Sequence, residues 1–595
     1  MASKSVQRET NKVATETRFQ GIPGSPGIAT GPVLLLRQNR PNIRRRPITA
    51  DKIPAELERL EVALLRTRQQ ILEAQERLAT SVGKAEAAIF EAHLLVVEDP
   101  TILQGVKAKL AEKLISVEAV YQDITSSLAD QMLALEDDYL RERAEDIHDV
   151  SRRVLQNLRA PGEAGVEISQ PCIVVADALS LTDLMATDRS ALLGFATEQG
   201  NRMSHAAIIA RSLNIPAVVG LRDVVDQIEN GMEVLLDGIT GLLILLPNEQ
   251  TKFEYGQMEE RRHRVEEQLD TLRDTLAATR DGHRVIISAN VELPEDFPHV
   301  AESGAEGIGL YRTEFLFINR NDLPGEEEQC EVYRKAAQTA KPHSIIIRTL
   351  DVGGDKAAVL ITGDEPEANP FLGWRGIRLC LDRLDVFKTQ LRAIARASVE
   401  GNVRVMFPMV SDIAEIRRSK ALFLEALAEI RAEGVPVPEK VEIGVMIEVP
   451  SAALTADILA KEVDFFSIGT NDLVQYTMAV DRLNERVASL YQPCHPAVLR
   501  LIARVAEEAH KNGIWAGICG EMASDVLLTP LLIGLGIDEL SMGSVSVPRV
   551  KKAIQSVNRE ECAEIARTYL AASTHDEIVK GLAEFAKKTY PDLII

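Results

Sequence analysis

Ile443-Gly444-Val445-Met446-Ile447-Glu448 runs five almost unbroken apolar residues into a carboxylate. Asp464-Phe465-Phe466-Ser467-Ile468-Gly469-Thr470-Asn471-Asp472 repeats the pattern a short way on, ending on an amide and a second carboxylate. A strand buried on both faces reads this way, because neither set of alternate side chains meets water. Working outward, eight such runs fill the C-terminal half, beginning at Val285, Gly307, Ile345, Val403, Ile443, Asp464, Trp515 and Glu539. They lead into Asn290, Arg312, Arg348, the Phe407-Pro408-Met409 turn, Glu448, Asn471-Asp472, Cys519 and Ser541. Helical patterns occupy most of the intervals, so the runs read as parallel βα units. Eight units close a (β/α)8 barrel, whose site lies where the strands end. With Arg482 just beyond Asp472, the rim gathers arginines, carboxylates, an amide and a thiol. These predict a site for a small anion and a metal.

The chain has 595 residues, enough for roughly three or four domains, of which a barrel takes about 300 residues. Its net charge of −22, from 89 acidic and 67 basic residues, lacks the basic face that nucleic acid requires. An anion site on so negative a body must be built from local arginines. Met1 to Arg18 carries no apolar secretory segment, and the densest apolar stretch, Gly241 to Pro247, falls far short of the ~20 residues of a membrane helix. Six cysteines without a CxxC pair read as reduced thiols, so a cytoplasmic location without membrane insertion is expected.

Residues 1–18 read as a disordered tail. The turn-rich Gln20 to Gly27 and the apolar Val33 to Leu36 follow. From Asp51 the period becomes helical, with Leu57, Leu60, Leu64, Ile71 and Leu78 on one face, and helical patterns continue to Leu158. Strand signals resume at Cys172 to Val175, Leu192 to Ala196, Ala217 to Val219 and Val234 to Leu236. The expected organisation is α/β multidomain: an α/β unit over 19–50 and 159–250, a helical bundle over 51–158 inserted into it, a linker helix over 251–281, and the barrel over 282–595.

Gly200-Asn201-Arg202-Met203-Ser204-His205 enters a helix. Ser204 can cap it, placing His205 in a first turn whose N–H groups and dipole favour an anion. By residue type alone, phosphoryl acceptor and surface histidine are equally good readings. Arg312, Arg348 and Arg482 suit phosphate or carboxylate through their planar, two-pronged donors. Glu448 and Asp472 are candidate ligands for a hard divalent cation, or candidates for acid/base work; no His/Cys spacing supports zinc. Cys519 reads as a buried structural thiol or, with a pKa of ~8.5, as a proton donor to carbon. His93, inside an amphipathic helix, reads as structural or interfacial.

Several strings together resemble Enzyme I of the bacterial phosphoenolpyruvate-dependent sugar phosphotransferase system. They include Gly24 to Ala29, Ser204-His205 with Ala210 to Leu213, Gly309 to Phe317, and Asn369 to Arg375. Asp464 to Asp472, Tyr491-Gln492-Pro493 and Cys519-Gly520-Glu521 continue the match, which extends from about Gly21 to the C-terminus. The resemblance implies a phosphotransferase in which His205 carries the phosphoryl group and Arg312, Arg348, Asn471 and Arg482 hold phosphoenolpyruvate. It implies Glu448 and Asp472 for Mg²⁺, Cys519 as the proton donor, and assistance from Lys356 and Arg375. It further implies that the α/β unit swivels, that the helical insertion docks the phosphocarrier HPr, and that the barrel forms a homodimer. Asn201 and Met203 depart from the family's usual glycine and threonine, and Leu181 to Leu184 from its usual hydroxyl-rich string. A regulatory (nitrogen-type) Enzyme I paralogue, a regulatory scaffold that keeps the docking surfaces without turnover, and a relative of phosphoenolpyruvate synthase or pyruvate-phosphate dikinase are the alternatives. The last needs an ATP-binding domain, and no Gly-rich nucleotide loop is evident.

Overall fold

All eight runs form strands, and the strands close. In the computed structural model β9 (Ile286–Val291), β10 (Ile308–Tyr311), β11 (Ile345–Arg348) and β12 (Val403–Phe407) are joined by β13 (Ile443–Ile447), β14 (Phe465–Ile468), β15 (Trp515–Ile518) and β16 (Glu539–Met542). Every neighbouring pair is parallel, and β16 returns to β9, giving a closed barrel. The structure describes all residues except 1–15, 37–44, 82–88, 134–137, 159–169, 180–190, 201–203, 214, 319, 321, 354–360, 362–366, 368, 483, 485 and 595. It divides into two compact units, Met1–Glu259 and Glu260–Ile595.

In the second unit the two-residue period of each strand sorts side chains between lumen and outer wall. Ile345 and Ile347 join the large outer core beneath the helices, whereas Ile346 packs inside with Leu310, Met406, Met446, Phe465 and Cys519. Both faces are therefore apolar, which is why the strands were legible as continuous runs. Part of the lumen is polar: Ser541 donates to Asn290 at 2.6 Å, and Gly309 leaves the room that the Glu539 and Ser541 side chains occupy.

The linker helix spans Glu249–Asp270, eleven residues short of the expected end. Asn248 starts it by accepting the Thr251 N–H at 2.9 Å. Val265 and Leu269 are buried in the barrel's outer core, but Leu276, which continues their spacing, is 59% exposed. Tertiary contacts override the periodicity: the buried Lys551 ammonium donates to the Arg273 and Gly304 carbonyls, each at 2.9 Å, and holds the chain in turns beyond Asp270.

The first unit is built on an eight-stranded sheet ordered β1-β8-β7-β3-β4-β5-β6-β2. Its strands are β1 (Thr17–Gln20), β2 (Ile22–Ser25), β3 (Ile28–Leu36), β4 (Cys172–Ala176), β5 (Leu192–Thr197), β6 (Ala217–Val219), β7 (Glu233–Asp237) and β8 (Leu242–Leu245). Strand β3 pairs in parallel with β4 although helices Ile53–Ser81, Ile89–Glu98, Pro100–Lys113, Val117–Leu133 and Asp138–Asn157 lie between them in sequence. Leu60, Phe90, Val106, Tyr121 and Val154 of those helices share one core with Cys172, Val174, Phe195 and Ile209. Residues 17 and 18, read as tail, and Ile22–Ser25, read as turn, are instead strands at the two sheet edges. Pro23 and Gly24 disguise the second; an edge tolerates proline because one row of ladder bonds is not needed there. Residues 1–15 of the expected tail lie outside the described residues. His93 is buried against Asp146 at 3.1 Å and packs edge-on to Phe90, a structural side chain within the bundle. Among the described residues no helix is long and apolar enough to cross a membrane.

Candidate active site

The strand ends of the barrel converge on one open cleft. Arg312 follows β10, Arg348 ends β11, Glu448 follows β13 and Cys519 follows β15. Asn471 and Asp472 lie in the first turn of helix Thr470–Met478, which follows β14 directly. All of them line the cleft with Arg482 and Arg375, and Asp351, Phe371, Leu310 and Met446 complete the wall. Gly520 permits the close approach of two of these loops, since a Cβ there would collide with Thr470 and Asn471.

The arginines differ in how firmly they are held. Arg348 is buried, with Nη2 2.9 Å from Glu314 and Nη1 3.0 Å from Asp351. Arg375 is buried against Asp351 at 3.0 Å and Asp472 at 3.2 Å. Arg312 and Arg482 instead pair with Glu292 and Glu521, whose side chains are 61% and 77% exposed. Exposed pairs are weak and are readily exchanged for a better anion. Among the described residues, the buried Nε–H groups of Arg312, Arg348 and Arg482 and the buried Oδ1 of Asp472 have no hydrogen-bond partner. Buried groups of this kind are normally satisfied. Three donors and one acceptor left over around one cleft are the complement of an anion and a cation.

The carboxylates and the thiol respond to burial. Glu448 accepts the Met409 N–H at 2.6 Å. Burial, then repulsion from Asp472 and Asp351, pushes its carboxyl up to about 8. A buried carboxyl raised by a neighbouring carboxylate, in a cleft of hard oxygen donors, suits Mg²⁺, and the Asp472 oxygen that has no partner among the described residues fits a ligand role. Cys519 lies within the apolar lumen cluster, where burial pushes the thiol up to about 11 against an opposing hydrogen bond with Ser467. The value near 8.5 expected from residue type does not hold here. The group is a neutral S–H at physiological pH and can give a proton but not act as a thiolate.

A second layer sets these groups in place. Asn471 accepts the Glu521 N–H at 2.9 Å and donates to the Glu521 carboxylate at 3.2 Å. Asn290 donates to the Cys519 carbonyl at 3.0 Å. Thr313 donates to the Arg348 carbonyl at 3.0 Å, and the buried Gln390 amide donates to Thr313 and Tyr333, each at 3.1 Å, while accepting the Leu350 N–H at 2.9 Å. Residue patterns missed Gln390 as a site-supporting group, although an amide between Phe387 and Leu391 on a buried helix face was a usable signal. Phe371 and Tyr476 were also missed.

His205 belongs to the first unit, apart from the barrel set. It opens helix His205–Ser212, with Ser204 at the N-cap in extended conformation. The Ser204 side chain makes no capping hydrogen bond, unlike the expectation from sequence. The His205 side chain, Asn201, Met203, Leu181 to Leu184 and Lys356 lie outside what the structure describes.

Fold and cleft define a (β/α)8 site for a small anion beside a carboxylate pair, on a chain that also carries a helix-terminal histidine in a separate unit. Three family profiles match in order: "PEP-utilising enzyme, N-terminal" over residues 20–143, "PEP-utilising enzyme, mobile domain" over 168–241, and "PEP-utilising enzyme, PEP-binding domain" over 266–559. The phosphoenolpyruvate-protein phosphotransferase of Staphylococcus carnosus is 41% identical over 96% of this chain and 99% of its own. The proteins of the same name from Priestia megaterium and Bacillus subtilis have the same identity and the same coverage. The chain belongs to the phosphoenolpyruvate-protein phosphotransferase family.

Proposed function

We propose that this enzyme moves the phosphoryl group of phosphoenolpyruvate to its own His205 and from there to the phosphocarrier HPr, releasing pyruvate. The observation that carries the reading is the set of leftover buried groups in the cleft: three guanidinium N–H donors and one carboxylate oxygen beside a protonated thiol. Arg312, Arg348 and Arg482 hold the phosphoryl and carboxylate oxygens of the substrate through paired donors, with Asn471 beside them. Glu448 and Asp472 would hold Mg²⁺, which when bound offsets charge on the phosphoryl oxygens. A ring nitrogen of His205 attacks phosphorus in line as the bond to the enol oxygen breaks. The enolate left behind takes the Cys519 proton on its terminal carbon and becomes pyruvate; the thiolate is then reprotonated from solvent. A histidine that opens a helix, in a region matched as a mobile domain, suits a carrier that visits two sites.

In this reading the sheet of the first unit is the swivelling phosphohistidine domain, the helices over 51–158 dock HPr, and the barrel unit dimerises. Cytoplasmic action in sugar uptake follows from the same family resemblance. Incubating the protein with phosphoenolpyruvate, Mg²⁺ and HPr should release pyruvate and phosphorylate HPr in equal amounts. Absence of pyruvate would overturn the reading.

A further inference from the structure

Resting on the reading that the cleft takes phosphoenolpyruvate, we propose that Tyr476 is a positioning residue for that substrate, its hydroxyl joining three of the βα loops that shape the cleft. Tyr476 lies one turn beyond Asp472 on helix Thr470–Met478, so the two side chains share a helix face. Its O–H donates to the Phe371 carbonyl at 2.5 Å and accepts from Arg375 Nη1 at 3.3 Å. The Sδ of Met409 lies 3.9 Å from the same oxygen. Phe371 and Arg375 follow β11, Met409 follows β12 and Tyr476 follows β14.

Two of the three neighbours face the substrate directly: Phe371 and Arg375 line the cleft, with Tyr476 behind them. The third bears on a carboxylate. Met409 is held at φ 56°, a left-handed conformation unfavourable for a residue with a side chain, and in that conformation its N–H reaches Glu448 at 2.6 Å. One hydroxyl thus braces the apolar wall, the Arg375 fork and the strained turn that holds Glu448. Asp351 and Asp472 also hold Arg375, and the tyrosine hydroxyl joins that guanidinium to the Phe371 turn. Because Tyr476 acts through Phe371 and Arg375 and is not itself among the cleft-lining residues, removal of its hydroxyl should weaken substrate binding rather than slow the chemistry.

Tyr476→Phe keeps the ring and removes only the hydroxyl. Pyruvate release is measured on the full-length protein with saturating HPr and Mg²⁺ while phosphoenolpyruvate is varied. The KM for phosphoenolpyruvate should rise about tenfold, the equivalent of one hydrogen bond to a charged group. The kcat should change by less than about twofold, since no contact made only in the transition state is lost. Calorimetric titration of phosphoenolpyruvate should show the same weakening. Phosphoryl exchange between phospho-HPr and His205, which does not use the barrel, should match wild type and report an intact protein. An unchanged KM, or a fall in kcat at unchanged KM, would overturn the proposal. Failure of the wild-type protein to release pyruvate would instead sink the reading of the cleft, and this inference with it.

Discussion

Cys519 shows how burial selects one chemical role for a side chain. Its sulfur is packed among Leu310, Met406, Met446 and Phe465, and that surrounding disfavours the thiolate. The thiol, raised to about 11, keeps its proton as pH rises through the range near 9 where an ordinary thiol would lose it. Pyruvate formation should therefore show no descending limb from this group between roughly pH 8 and 9.5. A pH–rate profile with such a limb, absent from Cys519→Ser, would contradict the assignment. A serine hydroxyl is a far weaker acid, so Cys519→Ser should form pyruvate at least ~10²-fold more slowly with nearly normal substrate binding. Transfer from phospho-HPr back to His205 should be untouched; its loss would make the cysteine structural.

At the scale of elements, the rim is held by groups that never touch the cleft. Gln390 joins the segment after β10, through Thr313, to the segment after β11, through Leu350, and ties both to helix Glu326–Ala340 through Tyr333. Gln390→Leu would leave the Leu350 N–H unpaired in the interior and should cost ~2–3 kcal/mol. Denaturant unfolding followed by a probe of the barrel measures it, and an unshifted midpoint would show that the network is dispensable.

The contrast between Gln390 and Arg348 also explains what was legible in the sequence. Arg348 ends an apolar strand, and the break in pattern announces it. Gln390 and Tyr476 sit on helices whose burial and partners exist only after the strands close. Likewise Ile443 to Glu448 was legible because both faces of a barrel strand are apolar, whereas β1 and β2, at sheet edges and the second disguised by Pro23 and Gly24, carried no such signal. The early end of the linker helix depends on Lys551, almost three hundred residues away, and no local periodicity encodes it.

At the scale of the whole molecule, candidate site residues fall into two units, His205 in Met1–Glu259 and the rest in Glu260–Ile595. The observed packing moves the practical boundary. A barrel fragment begun at Gly282 would strip Val265, Leu269 and Ala277, all buried, from the outer core. A fragment begun at Glu260 should therefore melt at a higher temperature, since burying each large aliphatic side chain contributes about 1.5–3 kcal/mol. Equal melting temperatures for the two fragments would show that the linker segment adds nothing. Either fragment, if folded, should bind phosphoenolpyruvate in a Mg²⁺-dependent way, and ultracentrifugation tests whether it dimerises.

The division of labour between the units is tested most directly by following the phosphoryl group itself. The protein is incubated with phosphoenolpyruvate carrying a labelled phosphoryl group, and the acid-labile label is mapped by peptide. The expected result is label on His205 alone in the wild-type chain, and none in His205→Ala, which still binds phosphoenolpyruvate because the barrel is unaltered. Label on His93 or any other histidine of the variant, or phosphorylation by phosphoenolpyruvate of a fragment ending near Tyr255, would contradict it.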